Sequence, residues 1–374
     1  MFSTHSFRST WLEVDLTRLK ENLKSIFTHA NKKSMIAVVK ADGYGHGAVE
    51  IARTLEQEGV SWFAVATLDE AIELRENGVR GDILVLGPVD HRWQREIINC
   101  GCVATVVSLA EAEHLSKTAV ALDKSLRVHV KVDTGMGRFG ILFEQAFSDI
   151  SAMMELPGIT VEGCFSHLPS ADHDREFSEH QIQRMRNLRH DLEKKGVHIP
   201  FWHIANSEAV WNLSDAYGTD FTHIRPGISL YGVASVPFAN VKTLMTLKTK
   251  IVQMKRLSQG STVSYLRTYR VTMPKEWIAV LPIGYADAVP VVGSGTYEVV
   301  IRGKRYPQVG RVCMDSMMVS LGENKEGIRE GEEVEIFGGE ISLLEFAQKS
   351  QRIPYEVMCG VSKRVPRIYR GEEK

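Results

Sequence analysis

The apolar run Val38-Val39 ends in Lys40 and passes at once into a glycine-rich turn, Ala41-Asp42-Gly43-Tyr44-Gly45-His46-Gly47. A lysine partly stripped of water loses its proton more readily, which suits imine formation with an aldehyde cofactor. A surface lysine ahead of an ordinary turn is the other reading of the same residues. Further on, residues 203–207 (HIANS) and 223–228 (HIRPGI) close two later apolar runs. Ser207 and the backbone amides of Gly227 and Ile228 could bind phosphate there. The plainer alternatives are an N-cap for Ser207 and a rim salt bridge for Arg225. Residues 131–140 (KVDTGMGRFG) contain a G-x-G-x-x-G, but mid-chain and without the rest of the dinucleotide fingerprint, so it carries no weight alone. His167, Asp172, His173, Asp174 and His180 cluster without any usual zinc spacing. They read as a solvated helix start, and no metal is expected.

Something must position these groups. Eight short β-branched runs begin near Met35, Trp62, Ile83, Ala104, Val128, Val161, Phe201 and Phe221. Helix-like segments over 48–56, 109–116 and 176–195 alternate with them, one opened by a capping box of Ser108 and Glu111. Eight βα units in roughly 220 residues fit a closed (β/α)₈ TIM barrel, whereas an open doubly wound sheet usually stops at five or six strands. Such barrels place their chemistry at the C-terminal mouth, where Lys40 would then stand. Past about Asn240 the texture becomes alternating strands, 244–257 first, with glycine turns and one short helix over 342–350. The expected organisation is a barrel over 11–236 and a mostly antiparallel β domain over 237–374, with residues 1–10 packing on the latter.

Composition removes several classes. The 374 residues carry 45 Lys plus Arg against 46 Asp plus Glu, a net charge of −1, without the excess of basic residues that nucleic acids or anionic membranes call for. No apolar run approaches the ~18 residues of a membrane span, and the N-terminus lacks the core of a signal peptide. The five cysteines (Cys100, Cys102, Cys164, Cys313 and Cys359) are odd in number and scattered, so neither a disulfide framework nor a zinc knuckle is indicated. A cytoplasmic protein acting on a small molecule is expected.

An ordered set of motifs then points further. Residues 39–47 (VKADGYGHG) resemble the cofactor-attachment signature of the alanine racemases. KVDTGMGRFG at 131–140, FSH at 165–167, ANS at 205–207, RPGISLYG at 225–232, VSY at 263–265, PIGYAD at 282–287, RVCMD at 311–315 and RVPR at 364–367 resemble that family's later motifs, in order and over nearly the whole chain. The resemblance implies a pyridoxal-5′-phosphate enzyme with a (β/α)₈ barrel and a C-terminal β domain. It also implies a homodimer with shared active sites that interconverts L- and D-alanine to supply D-alanine for peptidoglycan. By the same resemblance Lys40 carries the cofactor and serves one face of the substrate, while Tyr265 of the partner subunit serves the other. Two bases are needed because the proton leaves one face of Cα and returns on the opposite one. A phenol with an ordinary pKa near ~10 needs help to ionise. The resemblance has His167 bond Tyr265 and Arg225 back His167.

Arg225 would also face the cofactor's ring nitrogen, where a guanidinium that keeps its proton makes the ring a shallower electron sink. Tyr44, Ser207, Gly227 and Ile228 would hold the phosphate. Arg138, with the Met314 amide of the partner, would hold the substrate carboxylate, and Lys131 is the position that several members carbamylate. The chain departs from the pattern at Lys363, where many members have tyrosine, at Pro169, and at residues 288–291 (AVPV), where a glycine and an arginine are common. These bear on substrate range and access more than on the core reaction. A broader alanine/serine racemase and a pyridoxal-phosphate amino-acid decarboxylase are the competing activities, and Arg225 argues against the second.

Overall fold

The computed structural model describes residues 7–371. The described residues form two compact units, one made of residues 19–43 and 47–242, the other of residues 7–18, 44–46 and 243–371.

In the first unit the barrel strands are Ser34–Met35 with Ala37–Val38, then Trp62–Val65, Asp82–Val85, Val103–Val106, Leu126–Asp133, Ile159–Phe165, Phe201–His203 and His223–Ile224. From Ala37–Val38 to Phe201–His203, each pairs parallel with the next. The ring closes where His223–Ile224 pairs parallel with Ser34–Met35 and where the Arg225 amide donates to the Ala205 carbonyl at 2.8 Å. This is the (β/α)₈ barrel that the eight apolar runs require. Every residue of Trp62–Val65 and of Val103–Val106 is buried, as befits parallel strands packed on both faces.

The covering helices include Ala48–Gln57, Leu109–Ala121 and Arg175–Lys194. Ser108 accepts the Glu111 amide at 3.1 Å, and Asp174 accepts the Phe177 amide at 3.0 Å. Asp174, a member of the 167–180 cluster, thus caps the helix that carries His180.

The second unit is built on a nine-stranded sheet in the order Gln253–Ser258, Lys275–Leu281, Met317–Gly322, Lys304–Val309, Glu298–Ile301, Glu333–Phe337, Met245–Lys250, Thr10–Asp15, Arg367–Arg370. All neighbours are antiparallel except the last pair. Three features differ from expectation. The segment from residue 11, placed in the barrel by the sequence, is a strand of this sheet, because its alternating burial gives it one face to pack and one to expose. The strand expected over 244–257 breaks at Ile251-Val252 into two that lie far apart in the sheet. A second helix, Pro354–Cys359, follows Leu343–Lys349. Of the residues expected to pack on this unit, 1–6 lie outside the described residues. Arg8 binds the buried Asp287 carboxylate at 2.6 Å, and Arg364 does so at 2.8 Å. These bonds overcome the burial that would raise Asp287 and hold it below the ordinary carboxylate range.

Candidate active site

Lys40 stands where the first barrel strand ends, and the backbone beyond it is left-handed. Ala41, Asp42, Gly43 and Tyr44 take φ values between 51° and 59°. Each non-glycine residue there costs roughly 1–2 kcal/mol, so the turn persists only because its surroundings impose it. The Gly43 amide donates to Val39 O and the Gly47 amide to Asp42 O, both at 2.9 Å. Asp42 Oδ1 accepts the Ala48 amide at 3.0 Å. A further tether is Glu70, whose Oε1 accepts the Ala41 amide at 2.6 Å while its Oε2 accepts those of Ala66 and Thr67 at 2.7 and 3.2 Å. One carboxylate therefore clamps the ends of two neighbouring strands and fixes the residue after Lys40. Glu70→Ala is expected to cost about 1 kcal/mol as a lost cap, and more through the freed turn. An earlier thermal midpoint in a melting experiment would confirm the lost clamp.

Cations gather around His167 at the mouth. Lys131 Nζ lies 5.3 Å from the Phe139 ring centre and 5.6 Å from that of Phe165, and the Arg225 guanidinium lies 5.2 Å from Phe165. Burial, then the charges of Arg225, Arg138, Lys131 and Lys40, push His167 down to about 3 and keep it neutral. Burial, then the charges of Arg138 and Arg225, bring Lys131 to about 8. Asp133, at the end of the same strand, shapes the 131–140 loop by accepting the amides of Gly135 and Gly137 at 2.9 and 3.1 Å. The glycine pattern there serves a carboxylate-centred turn.

Arg225 is buried inside the barrel, not paired at its rim. Nη1 meets His203 Nδ1 at 2.6 Å, and Nη2 donates to Ser166 O at 2.6 Å and to Ile204 O at 3.2 Å, while Nε takes part in none of these bonds. The imidazole hydrogen-bonded to Arg225 is His203, while the charge of Arg225 also acts on His167. Burial lowers Arg225 to about 9, still protonated at neutral pH. A guanidinium can only donate, so His203 Nδ1 accepts and its Nε2–H donates to His129 Nδ1 at 2.9 Å. The His129 ring fits because a Cβ at Gly163 would come within 2.5 Å of it.

Ser207 does not cap its helix, because Asn206 does, accepting the Ala209 amide at 3.0 Å. The Ser207 hydroxyl instead accepts the amides of Gly227 at 2.8 Å and Ser229 at 3.3 Å, drawing the start of the 3₁₀ turn Ile228–Tyr231 to itself. Lys40, Lys131, Arg138, His167, Ser207, Arg225, Gly227 and Ile228 all belong to the barrel unit, on strand ends or the loops after them.

In the second unit Tyr44 is buried 6.2 Å, centre to centre, from the Tyr355 ring, and burial raises its phenol pKa. Tyr265 is 68% exposed and Met314 52% exposed. Both line a groove of about 740 Å³ with Ser264, Cys313 and Lys255. Tyr265 sits among positive-φ residues, Ser264 (66°), Leu266 (60°) and Arg267 (54°). Lys363 is exposed. Glu70 and His203 escape a reading by motif. A T-x-x-E capping box announces Glu70 as a helix start, but nothing local says that it also reaches Ala41, and His203 is legible only as a polar residue ending an apolar run.

Comparison with known proteins agrees on both units. The family model described as alanine racemase, N-terminal domain, matches residues 14–235, and alanine racemase, C-terminal domain, matches residues 244–369. Alanine racemase 2 of Caldanaerobacter subterraneus subsp. tengcongensis is 40% identical over 380 residues, covering 98% of this chain and 96% of that protein. The solved alanine racemase of Clostridium difficile 630 superposes with a TM-score of 0.92 at 36% identity, covering 98% of this chain and 97% of that one. That of Bacillus anthracis, solved with bound L-Ala-P, gives 0.88 at 32%, covering 99% and 97%. With both halves matched and the barrel mouth furnished as described, the chain belongs to the alanine racemase family and is an enzyme, a racemase.

Proposed function

We propose that this enzyme interconverts L- and D-alanine with pyridoxal 5′-phosphate, as a cytoplasmic homodimer that supplies D-alanine for peptidoglycan. The observation that carries the reading is the residue set at the strand ends: a strand-end lysine, a buried arginine whose Nε takes part in none of its hydrogen bonds, the Ser207 hydroxyl with the Gly227 and Ser229 amides on it, and the cations Arg138 and Lys131 acting on His167. Such a set fits a phosphorylated aldehyde with a basic ring nitrogen and an anionic substrate. Lys40 would hold the group covalently, Ser207, Gly227, Ile228 and Tyr44 its phosphate, and Arg225 Nε its ring nitrogen. When bound, the cofactor supplies an electron sink that makes the Cα proton of alanine removable.

The protein's own groups do the rest. Arg138 and the partner's Met314 amide fix the substrate carboxylate, so that the two faces of Cα point at different bases. Tyr265 Oη from the second subunit exchanges the proton on the L face, and Lys40 Nζ exchanges it on the D face. Neutral His167 can bond the Tyr265 oxygen without adding charge. The exposure of Tyr265, Leu266 and Met314 in a single chain supports a second copy covering them. In heavy water with pyridoxal phosphate, deuterium should enter Cα of alanine from either enantiomer. Release of carbon dioxide, or no exchange, would overturn the proposal.

Lys131, brought to about 8 by burial first, has at mildly alkaline pH the neutral amine that attacks carbon dioxide, forming a carbamate with loss of one proton. The sign for stability follows. Protonated Lys131 opposes folding, fully below about pH 8, and the penalty fades as pH rises toward the ordinary lysine value near ~10. In buffer free of carbon dioxide, Lys131→Met should melt above wild type at pH 7 and the gap should close by about pH 10. A gap that widens with pH would refute the shift.

A further inference from the structure

In the second unit Glu276 is a carboxylate buried to 3% exposure within the strand Lys275–Leu281. Its Oε1 accepts the Tyr269 hydroxyl at 2.7 Å and the Ser320 hydroxyl, while Oε2 has no hydrogen-bond partner among the described residues. A buried carboxylate that is half satisfied costs stability that an apolar residue there would not. A bulge between Trp277 and Ile278 shifts the register against Met317–Gly322, whose Ser320 reaches the carboxylate.

What Glu276 holds is informative. Tyr269 packs against the core cluster of Val263, Ile278 and Val309 and pairs antiparallel with Val263. The two-stranded ladder Thr262–Val263 with Tyr269–Arg270 is the base of a loop that contains Tyr265. That loop has three non-glycine residues at positive φ, each costing of order 1–3 kcal/mol, so it needs external tethers. On one side Ser264 Oγ donates to Arg311 O at 2.5 Å. On the other, the ladder leads to Tyr269 and Glu276.

We propose that Glu276 is a positioning residue for Tyr265: by clamping the Tyr269 hydroxyl to the sheet it sets where the Tyr265 loop leaves the ladder. The inference rests on the reading of Tyr265 as the L-face base, and its error signature follows from that role. If Tyr265 is held loosely, proton transfer on the L face becomes the slow step in both directions, while transfer at Lys40 is untouched.

The test uses the pyridoxal-phosphate holoenzyme and Tyr269→Phe, which deletes the hydroxyl and keeps the ring in its packing. The rate constant at saturation should fall about tenfold, a part of what a general base contributes. The primary isotope effect with Cα-deuterated L-alanine should rise, and that with Cα-deuterated D-alanine should shrink. Glu276→Gln, which keeps a carbonyl oxygen for both hydroxyls, should retain most of the activity, and Glu276→Ala should match Tyr269→Phe. Combined with Tyr265→Phe, the Tyr269→Phe change should add little further loss. Unchanged isotope effects in both directions for a folded Tyr269→Phe would overturn the proposal. If Tyr265→Phe itself leaves the rate intact, the base assignment fails instead, so the two failures are distinguishable. Should Glu276→Ala not fold, Tyr269→Phe alone decides.

Discussion

Lys40→Ala should abolish racemisation in both directions, with a loss of at least about 10⁴-fold. One amine is asked to fill two roles, holding the cofactor and moving the D-face proton, and base catalysis alone is worth ~10²–10⁴-fold. The fold should survive, because backbone bonds and Glu70 hold the left-handed turn after residue 40. The amides at Gly227 and Ile228 and the Arg225 Nε would remain as a non-covalent seat. Borohydride treatment followed by peptide mapping should therefore label residue 40 in wild type and leave Lys40→Ala unlabelled there. Labelling at Lys131 instead, with Lys40→Ala still active, would reassign the attachment site.

Tyr265→Phe should lower the rate constant by ~10²–10⁴-fold with an unchanged melting temperature, because the side chain is 68% exposed and packs little in one chain. The stronger test concerns which subunit supplies it. In a homodimer whose sites each take Lys40 from one copy and Tyr265 from the other, mixing Lys40→Ala with Tyr265→Phe creates heterodimers with one fully wild-type site and one doubly impaired. Two nearly dead preparations should then regain, after exchange of subunits, about a quarter of the wild-type rate, since roughly half the dimers carry one good site of two. If both groups come from the same chain, mixing restores nothing.

Much of the barrel is legible in the sequence because parallel strands covered by helices are apolar throughout, so each shows as a run such as 62–65 or 103–106. The strand Thr10–Asp15 carried a usable signal that points the other way. Its residues alternate in burial, the mark of a half-exposed sheet, and proximity to the barrel in sequence argued wrongly for membership of it. The break at Ile251-Val252 and the helix Pro354–Cys359 are short features with little periodicity of their own. At the site, residue types and order pointed to Lys40, Ser207 and Arg225, but the partner of Arg225 did not follow. His203 ends a barrel strand and His167 lies two residues past the end of another, and the guanidinium's hydrogen bond goes to His203. Glu70 and Glu276 are illegible for a related reason. Their decisive contacts, with Ala41 and with Tyr269 and Ser320, are fixed by sheet register rather than by spacing.

The left-handed turn after Lys40 has a consequence for the order of events in a growing chain. Its backbone is unfavourable by itself, so residues 40–44 emerging from a ribosome have no reason to adopt it. The Glu70 clamp arrives some thirty residues later, and the strand that leads into the turn gains its second neighbour only when residues 223–226 exist to pair with residues 34–38. The amides drawn together by Ser207 belong to the same late segment. The surroundings of Lys40 are therefore complete only once the last barrel strand is made, and under the proposed function the cofactor would load only after the barrel closes.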